Sequence, residues 1–140
     1  MAELTSIAFI PDGNRRYAKK MGLNLFDGYF QGAQKAWDVL QWTLEYPHIK
    51  TGTFWALALD NLRNRSQLEL KVLFKIFEHE LGKVREGSLF DTHQIRLKFL
   101  GRTSLFPRNL QEKMKQAEAF TENFKTKTMN VALCYSGQAE

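Results

Sequence analysis

Residues 6–20 read SIAFIPDGNRRYAKK and join an apolar strand to a polar turn and a charged helix. The apolar run 4–10 is typical of a buried strand, and Pro11 ends it because proline has no N–H to donate to a sheet. Asn14 can cap a short helix that ends near Gly22, since glycine is common just after helix C-termini. A packed core does not require the four cationic residues that follow the turn. The stretch therefore predicts a strand–loop–helix unit with an anion-binding loop.

Strands and helices alternate along the rest of the chain. Further strands are predicted at 51–57, 93–101 and 128–135. Longer helices are predicted from Asp27 to just before Pro47, from Ser66 to about Val84, and from Pro107 onward. This alternation predicts an α/β fold with a mainly parallel sheet flanked by helices. A new strand-to-helix turn begins at 136–140, so we expect residues 1–140 to form a single domain that is incomplete at its C-terminus.

The composition is that of an ordinary globular domain. The chain has 140 residues, of which 44% are hydrophobic and 25% charged. Its longest apolar run, FWALAL at 54–59, is far shorter than the roughly 18 residues of a membrane span. The N-terminus does not resemble a signal peptide, and a single cysteine, Cys134, agrees with a reducing compartment. We therefore expect a cytoplasmic protein, and the spacing of its three histidines does not predict a zinc site.

Net charge narrows the choice of partner. The formal charge is +5 and the pI about 9.4, which favours nucleic acid, an anionic membrane or a phosphorylated ligand. The cations concentrate beside the turn at 12–14 and at Arg63 and Arg65, and elsewhere they alternate with acidic residues. No nucleic-acid-binding motif is present, so a nucleic-acid partner is not expected. A small phosphorylated ligand fits this distribution better.

The loops at 11–16 and 60–65 follow the first two predicted strands, where open α/β sheets bind their ligands. Gly13 lets the backbone approach a ligand, and the forked guanidinium groups of Arg15 and Arg16 suit phosphate oxygens. Asp12 would repel a phosphate unless a cation such as Mg²⁺ lies between them. Alternatively, Pro-Asp-Gly-Asn is only a turn with Asn14 as a helix cap, which leaves the arginine pair unexplained.

The segment IAFIPDGNRRYAKK at 7–20 resembles the signature of the cis-prenyltransferases, which elongate an allylic prenyl diphosphate with isopentenyl diphosphate. Three later segments are similar to that family in the same order: DNLRNRSQLEL at 60–70, IRLKFLGRTSLFPRNLQEKMKQAEAFT at 95–121, and MNVALCYSGQAE at 129–140. The resemblance implies the cis-prenyltransferase fold without its C-terminal strands. It also implies a homodimer or a heteromer. In the family, a C-terminal part that has no counterpart in residues 1–140 carries the isopentenyl diphosphate site and much of the dimer contact.

The resemblance also implies residue roles. Asp12 would be the essential carboxylate that places Mg²⁺ on the diphosphate, and Asn61 would be the catalytic asparagine. The loop that holds the allylic diphosphate would consist of Gly13, Asn14, Arg15 and Arg16, with Arg65 nearby. Glu69 would support this site, but Ser66 and Glu69 also form a capping box that explains Glu69 without catalysis.

The implied activity is Mg²⁺-dependent prenyl transfer with loss of diphosphate; the alternative is a non-catalytic diphosphate-binding subunit of a heteromeric prenyltransferase. Trp37, Phe74 and Phe77 either line the family's hydrocarbon tunnel or simply pack in the core. A hydrophobic product would bring the protein into peripheral contact with a membrane. Several positions depart from the usual family residue: Leu25 (arginine), Tyr29 (histidine), Ala58 (serine), Leu62 (an aromatic residue) and Gln138 (arginine).

Overall fold

A four-stranded parallel sheet forms the centre of the protein. The computed structural model describes residues 5–9, 14–58 and 63–135. The strands are β1 Ser6–Phe9, β2 Thr51–Ala58, β3 Ile95–Leu100 and β4 Lys127–Tyr135, and their order in the sheet is β1-β2-β4-β3. Every described pairing is parallel, which confirms the predicted α/β class with a parallel sheet.

Helices connect the strands. They are α1 Asn14–Lys20, α2 Leu25–Thr43, α3 Gln67–Leu81, α4 Leu89–Thr92 and α5 Arg108–Thr121. The short helix α4 and a 3₁₀ turn at Thr103–Leu105 were not predicted, because neither is long enough to show a helical apolar period.

The helix ends follow from individual capping residues. Helix α2 begins at Leu25 and not at the predicted Asp27, because Asn24 caps it: the Asn24 side chain accepts a hydrogen bond from the Asp27 N–H at 2.8 Å. Helix α1 ends at Lys20, close to the predicted end near Gly22, and the φ of +67° at Gly22 suits a residue without a Cβ. Local capping chemistry therefore sets these boundaries.

The hydrophobic core lies between one face of the sheet and the helices. Its fully buried members come from every layer and include Leu40, Leu97, Leu110 and Met129. Strand β3 is at one edge of the described sheet, and α5 covers that edge with polar side chains. The Leu97 N–H donates to Thr121 Oγ1 at 2.9 Å, and the Phe99 N–H donates to Glu118 Oε2 at 3.2 Å. These bonds satisfy donors that an edge strand would otherwise expose.

Strand β1 is less buried than the sequence predicted. Its four side chains alternate between exposed and half-buried, since β1 lies at the other edge of the four described strands. An apolar run alone does not distinguish an edge strand from a central one. Within the described ranges, no helix has the length and apolar character needed to cross a membrane.

Candidate active site

The carboxyl ends of β1 and β2 lie side by side. The two strands pair in parallel up to Phe9 and Phe54, so both strands point toward the same edge of the sheet. The register between β2 and β4 becomes irregular between Trp55 and Ala58, close to that edge. Such irregularities are frequent next to active sites, where they redirect the chain. The two loops that the sequence singled out therefore follow neighbouring strands.

Several predicted site residues lie outside the described part of the structure. These are Asp12, Gly13 and Asn61, together with the side chains of Asn14, Arg15 and Arg16. The backbone of residues 14–16 forms the first turn of α1. Arg65 and Glu69 are fully described, and their environment is the part of the site that can be built from contacts.

Arg65, Tyr29 and Glu69 form a hydrogen-bonded cluster near the start of α3. Arg65 Nη1 donates to the Tyr29 hydroxyl and to Glu69 Oε2, the latter at 3.0 Å. The guanidinium also lies over the Tyr29 ring, 5.6 Å from its centroid, a distance suited to a cation–π contact. The side chains of Arg65 and Glu69 are only 17% and 11% exposed. Two partners on different helices thus fix the orientation of a partly buried cation.

Glu69 combines the two roles that the sequence left open. Its backbone N–H donates to Ser66 Oγ at 3.1 Å, so Ser66 caps α3 as the capping-box pattern predicts. Its carboxylate accepts from Arg65 at the same time. The helix cap and the support of Arg65 are therefore compatible.

One nitrogen of Arg65 still needs an acceptor. Among the described residues, Nε of Arg65 is buried and has no hydrogen-bond partner. An unpaired buried donor is unfavourable, and a donor on a cation is best satisfied by an anionic oxygen. Arg65 Nε can thus donate a further hydrogen bond to a carboxylate or a phosphate oxygen.

An apolar cavity of about 220 Å³ extends from Tyr29 into the protein. Helices α2 and α3 form one of its walls, and strands β2, β3 and β4 form the other. Its lining includes Tyr29, Ala33, Trp37, Leu73, Phe77 and Met129. The cavity thus begins beside a hydrogen-bonded cation and continues between hydrocarbon side chains, an arrangement that suits a ligand with one charged end and one apolar end.

Three aromatic residues were expected to line a tunnel or to pack in the core. Trp37 and Phe77 line the cavity. Phe74 instead packs edge-on against Phe106, with ring centroids 5.2 Å apart, and is not among the lining residues. Phe74 and Phe77 lie one turn apart on α3 and both contact Phe106, and Phe77 also reaches the cavity.

A family model described as putative undecaprenyl diphosphate synthase matches residues 10–140. The chain belongs to this family. It is 43% identical over 136 residues to the tritrans,polycis-undecaprenyl-diphosphate synthase (geranylgeranyl-diphosphate specific) of Pyrobaculum aerophilum, covering 97% of the chain and 57% of that relative. It is 37% identical to an isoprenyl transferase of Thermus thermophilus, covering 96% of the chain and 50% of that protein. The chain spans about half the length of the curated relatives it matches.

Solved structures agree with this membership in the undecaprenyl diphosphate synthase family. Lavandulyl diphosphate synthase from Lavandula x intermedia, in complex with dimethylallyl diphosphate, matches with a TM-score of 0.85 and 30% identity over 96% of the chain and 56% of its own. A probable undecaprenyl diphosphate synthase from Campylobacter jejuni matches with a TM-score of 0.74 and 25% identity, over the whole chain and 58% of its own. The predicted resemblance to cis-prenyltransferases is confirmed.

Sequence reasoning missed two residues of this family member's site. Tyr29 was noted only as a departure from histidine, and its contact with Arg65 joins two residues that are 36 positions apart in the chain. Glu80 lies in the cavity wall. Its position did carry a signal, because it falls on the same helical face as Leu73 and Phe77 and interrupts an apolar stripe with a charge.

Proposed function

We propose that the protein transfers prenyl groups. It condenses an allylic prenyl diphosphate with isopentenyl diphosphate, or a related prenyl acceptor, and releases diphosphate. The observation that carries this proposal is the position of the apolar cavity, which begins at Tyr29 beside Arg65. A prenyl diphosphate has a charged head and a hydrocarbon tail, and its two parts match the two parts of this site. Family membership supports the same reaction.

The chemistry is the transfer of an allylic carbon. The bond between that carbon and the diphosphate oxygen breaks, and the double bond of the isopentenyl unit attacks the developing allylic cation. A carbon–carbon bond forms, and a proton leaves the isopentenyl unit. Gly13, Asn14, Arg15 and Arg16 hold the leaving diphosphate, and the charge on the arginines stabilises it as it departs. Asn61 acts beside the reacting carbons as the catalytic asparagine.

Arg65 and Glu69 complete the charged half of the site. Arg65 offers a further donor to the diphosphate, and its contacts with Tyr29 and Glu69 hold it in place. Because a preorganised cation does not reorient during the reaction, it stabilises developing charge more effectively than a mobile one. Glu69 is a positioning residue in this scheme.

Magnesium is the cofactor that this donor set suits. Mg²⁺ is usually held by one or two carboxylates together with substrate phosphate oxygens and water, and Asp12 supplies one carboxylate beside the diphosphate loop. When bound, the ion neutralises charge on the leaving diphosphate. Asp12 is the residue that would hold it, and the surrounding arginines would orient the phosphate oxygens.

We extend the proposal to assembly and location. The protein acts as a homodimer or as a member of a heteromer, as its resemblance to the cis-prenyltransferases implies. Its single cysteine agrees with the cytoplasm. A hydrophobic product favours work at the surface of a membrane.

The test is an elongation assay with purified protein, an allylic diphosphate, labelled isopentenyl diphosphate and Mg²⁺. We expect longer prenyl products and released diphosphate. Asp12→Asn should lower turnover by about 10²–10³-fold, a size typical of losing one charge-stabilising group. Asp38→Asn is the matched control, because Asp38 lies half-exposed on α2 and pairs only weakly with Lys35 at 3.8 Å. Binding of the allylic diphosphate without any turnover would identify a non-catalytic binding subunit, and an absence of binding would overturn the proposal.

A further inference from the structure

Glu80 is a charged residue in an otherwise uncharged cavity. Among the described residues that line the cavity, it is the one that carries a full charge, and its side chain is only 13% exposed. It lies on α3 next to Leu81, which belongs to the hydrophobic core. Burying a carboxylate beside hydrocarbon is costly unless its oxygens are well paired. Such a residue calls for an explanation.

Both oxygens of Glu80 are paired, with partners on α2, on α3 and in the turn that follows α3. Oε2 accepts from Trp37 Nε1 and lies 2.9 Å from Lys83 Nζ. Oε1 accepts from Gln34 Nε2 at 3.3 Å and lies 3.3 Å from His79 Nδ1. Gln34 and Trp37 belong to α2, and Glu80 belongs to α3. We call Gln34, Trp37, Glu80 and Lys83 the Glu80 cluster; it fastens α2 to α3 across the wall of the cavity.

The cluster lies in the half of the cavity that is distant from Arg65. Trp37 comes two helical turns after Tyr29 on α2, which places it roughly 12 Å further along the helix at 1.5 Å per residue. Glu80 comes three turns after Glu69 on α3, roughly 16 Å further along. Beyond them the aromatic ring of Phe90 meets Trp37 edge-on, with centroids 5.5 Å apart. Leu40 on α2 and Val84 just after α3 line the cavity about one turn beyond Trp37 and Glu80, so the cluster flanks the distant half of the cavity.

We propose that the Glu80 cluster holds α2 and α3 together beside the distant half of the cavity and thereby limits the length of the prenyl chain that the protein holds. This inference rests on the proposed function, because it assigns the cavity to a prenyl tail. The cavity's volume of about 220 Å³ is consistent with a short tail. A cavity of about 150 Å³ accommodates benzene, and pockets for drug-sized ligands start near 300 Å³.

A longer chain has to separate α2 from α3 to extend further. Separation would pull Trp37 and Gln34 on α2 away from the Glu80 carboxylate on α3. It would also leave a buried charge with fewer partners next to hydrocarbon, which is the unfavourable outcome described above. The cluster is thus a barrier that an apolar side chain at position 80 would not provide.

The experiment measures the chain-length limit in two ways. Calorimetry gives affinities for dimethylallyl, geranyl, farnesyl and geranylgeranyl diphosphates, and for the corresponding prenyl alcohols, which probe the cavity without a diphosphate. We expect the affinity of the original protein to stop rising before the longest tail. Glu80→Ala should raise the affinity for the longest tail relative to the next shorter one by about tenfold, the lower end of what hydrocarbon pockets discriminate.

Two further variants keep the result interpretable. Glu78→Ala is the matched control, because Glu78 lies on the same helix, 42% exposed, and pairs with Lys113 away from the cavity; it should leave the limit unchanged. Trp37→Phe removes the indole N–H while keeping an aromatic ring, so it should move the limit in the same direction even where Glu80→Ala does not fold.

The outcomes separate this inference from the proposed function. If folded Glu80→Ala and Trp37→Phe both keep the original limit for the alcohols and the diphosphates, the cluster does not set the length and the inference is overturned. If the limit moves for the alcohols while no diphosphate binds at all, the cavity assignment stands and the proposed prenyl transfer fails. A shift in both series, with longer products in the elongation assay, supports both.

Discussion

The contact between Tyr29 and Arg65 makes the sharpest prediction about catalysis. Tyr29→Phe removes the hydroxyl that accepts the Arg65 hydrogen bond and keeps the ring that lies 5.6 Å from the guanidinium. A hydrogen bond to a charged group contributes about 1.5–3 kcal/mol, and Arg65 is too buried for water to replace the lost partner freely. If Arg65 must be held in place to stabilise the leaving diphosphate, kcat/KM should fall about 10- to 150-fold.

The assay should separate binding from turnover. Steady-state elongation gives kcat and KM, and calorimetry gives the affinity for the allylic diphosphate alone. A loss confined to KM would mean that Arg65 contributes equally to ground state and transition state, whereas a loss in kcat would mean that its position matters most as charge develops. Tyr29→His introduces the residue that the family resemblance implies at this position, and an imidazole nitrogen can again accept from Arg65. This variant should recover most of the loss.

A double-mutant cycle tests whether Tyr29 acts through Arg65. Arg65→Lys keeps the charge but loses the forked geometry, so Tyr29→Phe in that background should cost much less than it does alone. Thermal unfolding must confirm that each variant folds. A kcat/KM for Tyr29→Phe within twofold of the original protein, or full additivity with Arg65→Lys, would show that Tyr29 does not act through Arg65.

Two further predictions concern stability. Thr121→Val removes the acceptor of the Leu97 N–H at a fully buried site. It should lower the free energy of unfolding by about 1–3 kcal/mol in urea titrations, whereas Thr121→Ser should retain most of the original stability. Equal stability of the valine variant and the original protein would contradict this account. Burial, with a smaller contribution from the charge of Lys50, lowers the pKa of Lys127 from 10.5. The unfolded chain therefore binds this proton more tightly than the folded protein does. As the pH increases from the lowered pKa to 10.5, the contribution of Lys127 to the free energy of unfolding should rise. The free energy of unfolding relative to Lys127→Met, which does not titrate, should therefore move in favour of the original protein across that window; a flat difference would argue against the lowered pKa.

Alternation of apolar segments was enough to predict the class of fold, because each strand and helix carries its own period in the sequence. Burial was harder to predict. The run around Ile7 and Phe9 has the composition of a central strand, yet β1 lies at an edge of the described sheet and its side chains are at most half-buried. Position in a sheet depends on which strands pair, and that information is distributed over the whole chain. The prediction of where α2 starts was wrong for a local reason. Asn24 and Asp27 are both good capping residues, and only the folded backbone selects Asn24.

The residues of the candidate site also divide into those that the sequence predicts and those that it does not. Asp12, Asn61, Arg65 and Glu69 fall on motifs that can be recognised along the sequence. The structure brings Arg65 and Glu69 together because they are four residues apart across the start of α3. The contact from Tyr29 comes from another helix, and no pattern in the sequence predicts it. Glu80 lies between these cases: its charge on an apolar stripe was visible, but its partners Gln34 and Trp37 are more than 40 residues away.

Tyr29 lies where the two halves of the proposed site meet. Its hydroxyl contacts Arg65, and the same side chain lines the apolar cavity. A substitution there is therefore expected to change turnover through the hydroxyl and the fit of the first part of the tail through the ring. Glu80 lines only the distant part of the cavity and, among the described residues, has no contact with Arg65. Changes at Glu80 should alter the length of the prenyl tail that the cavity accepts while leaving the affinity for the allylic diphosphate with the shortest tail intact. The pair thus separates diphosphate handling from the choice of tail, because only one of the two side chains touches both.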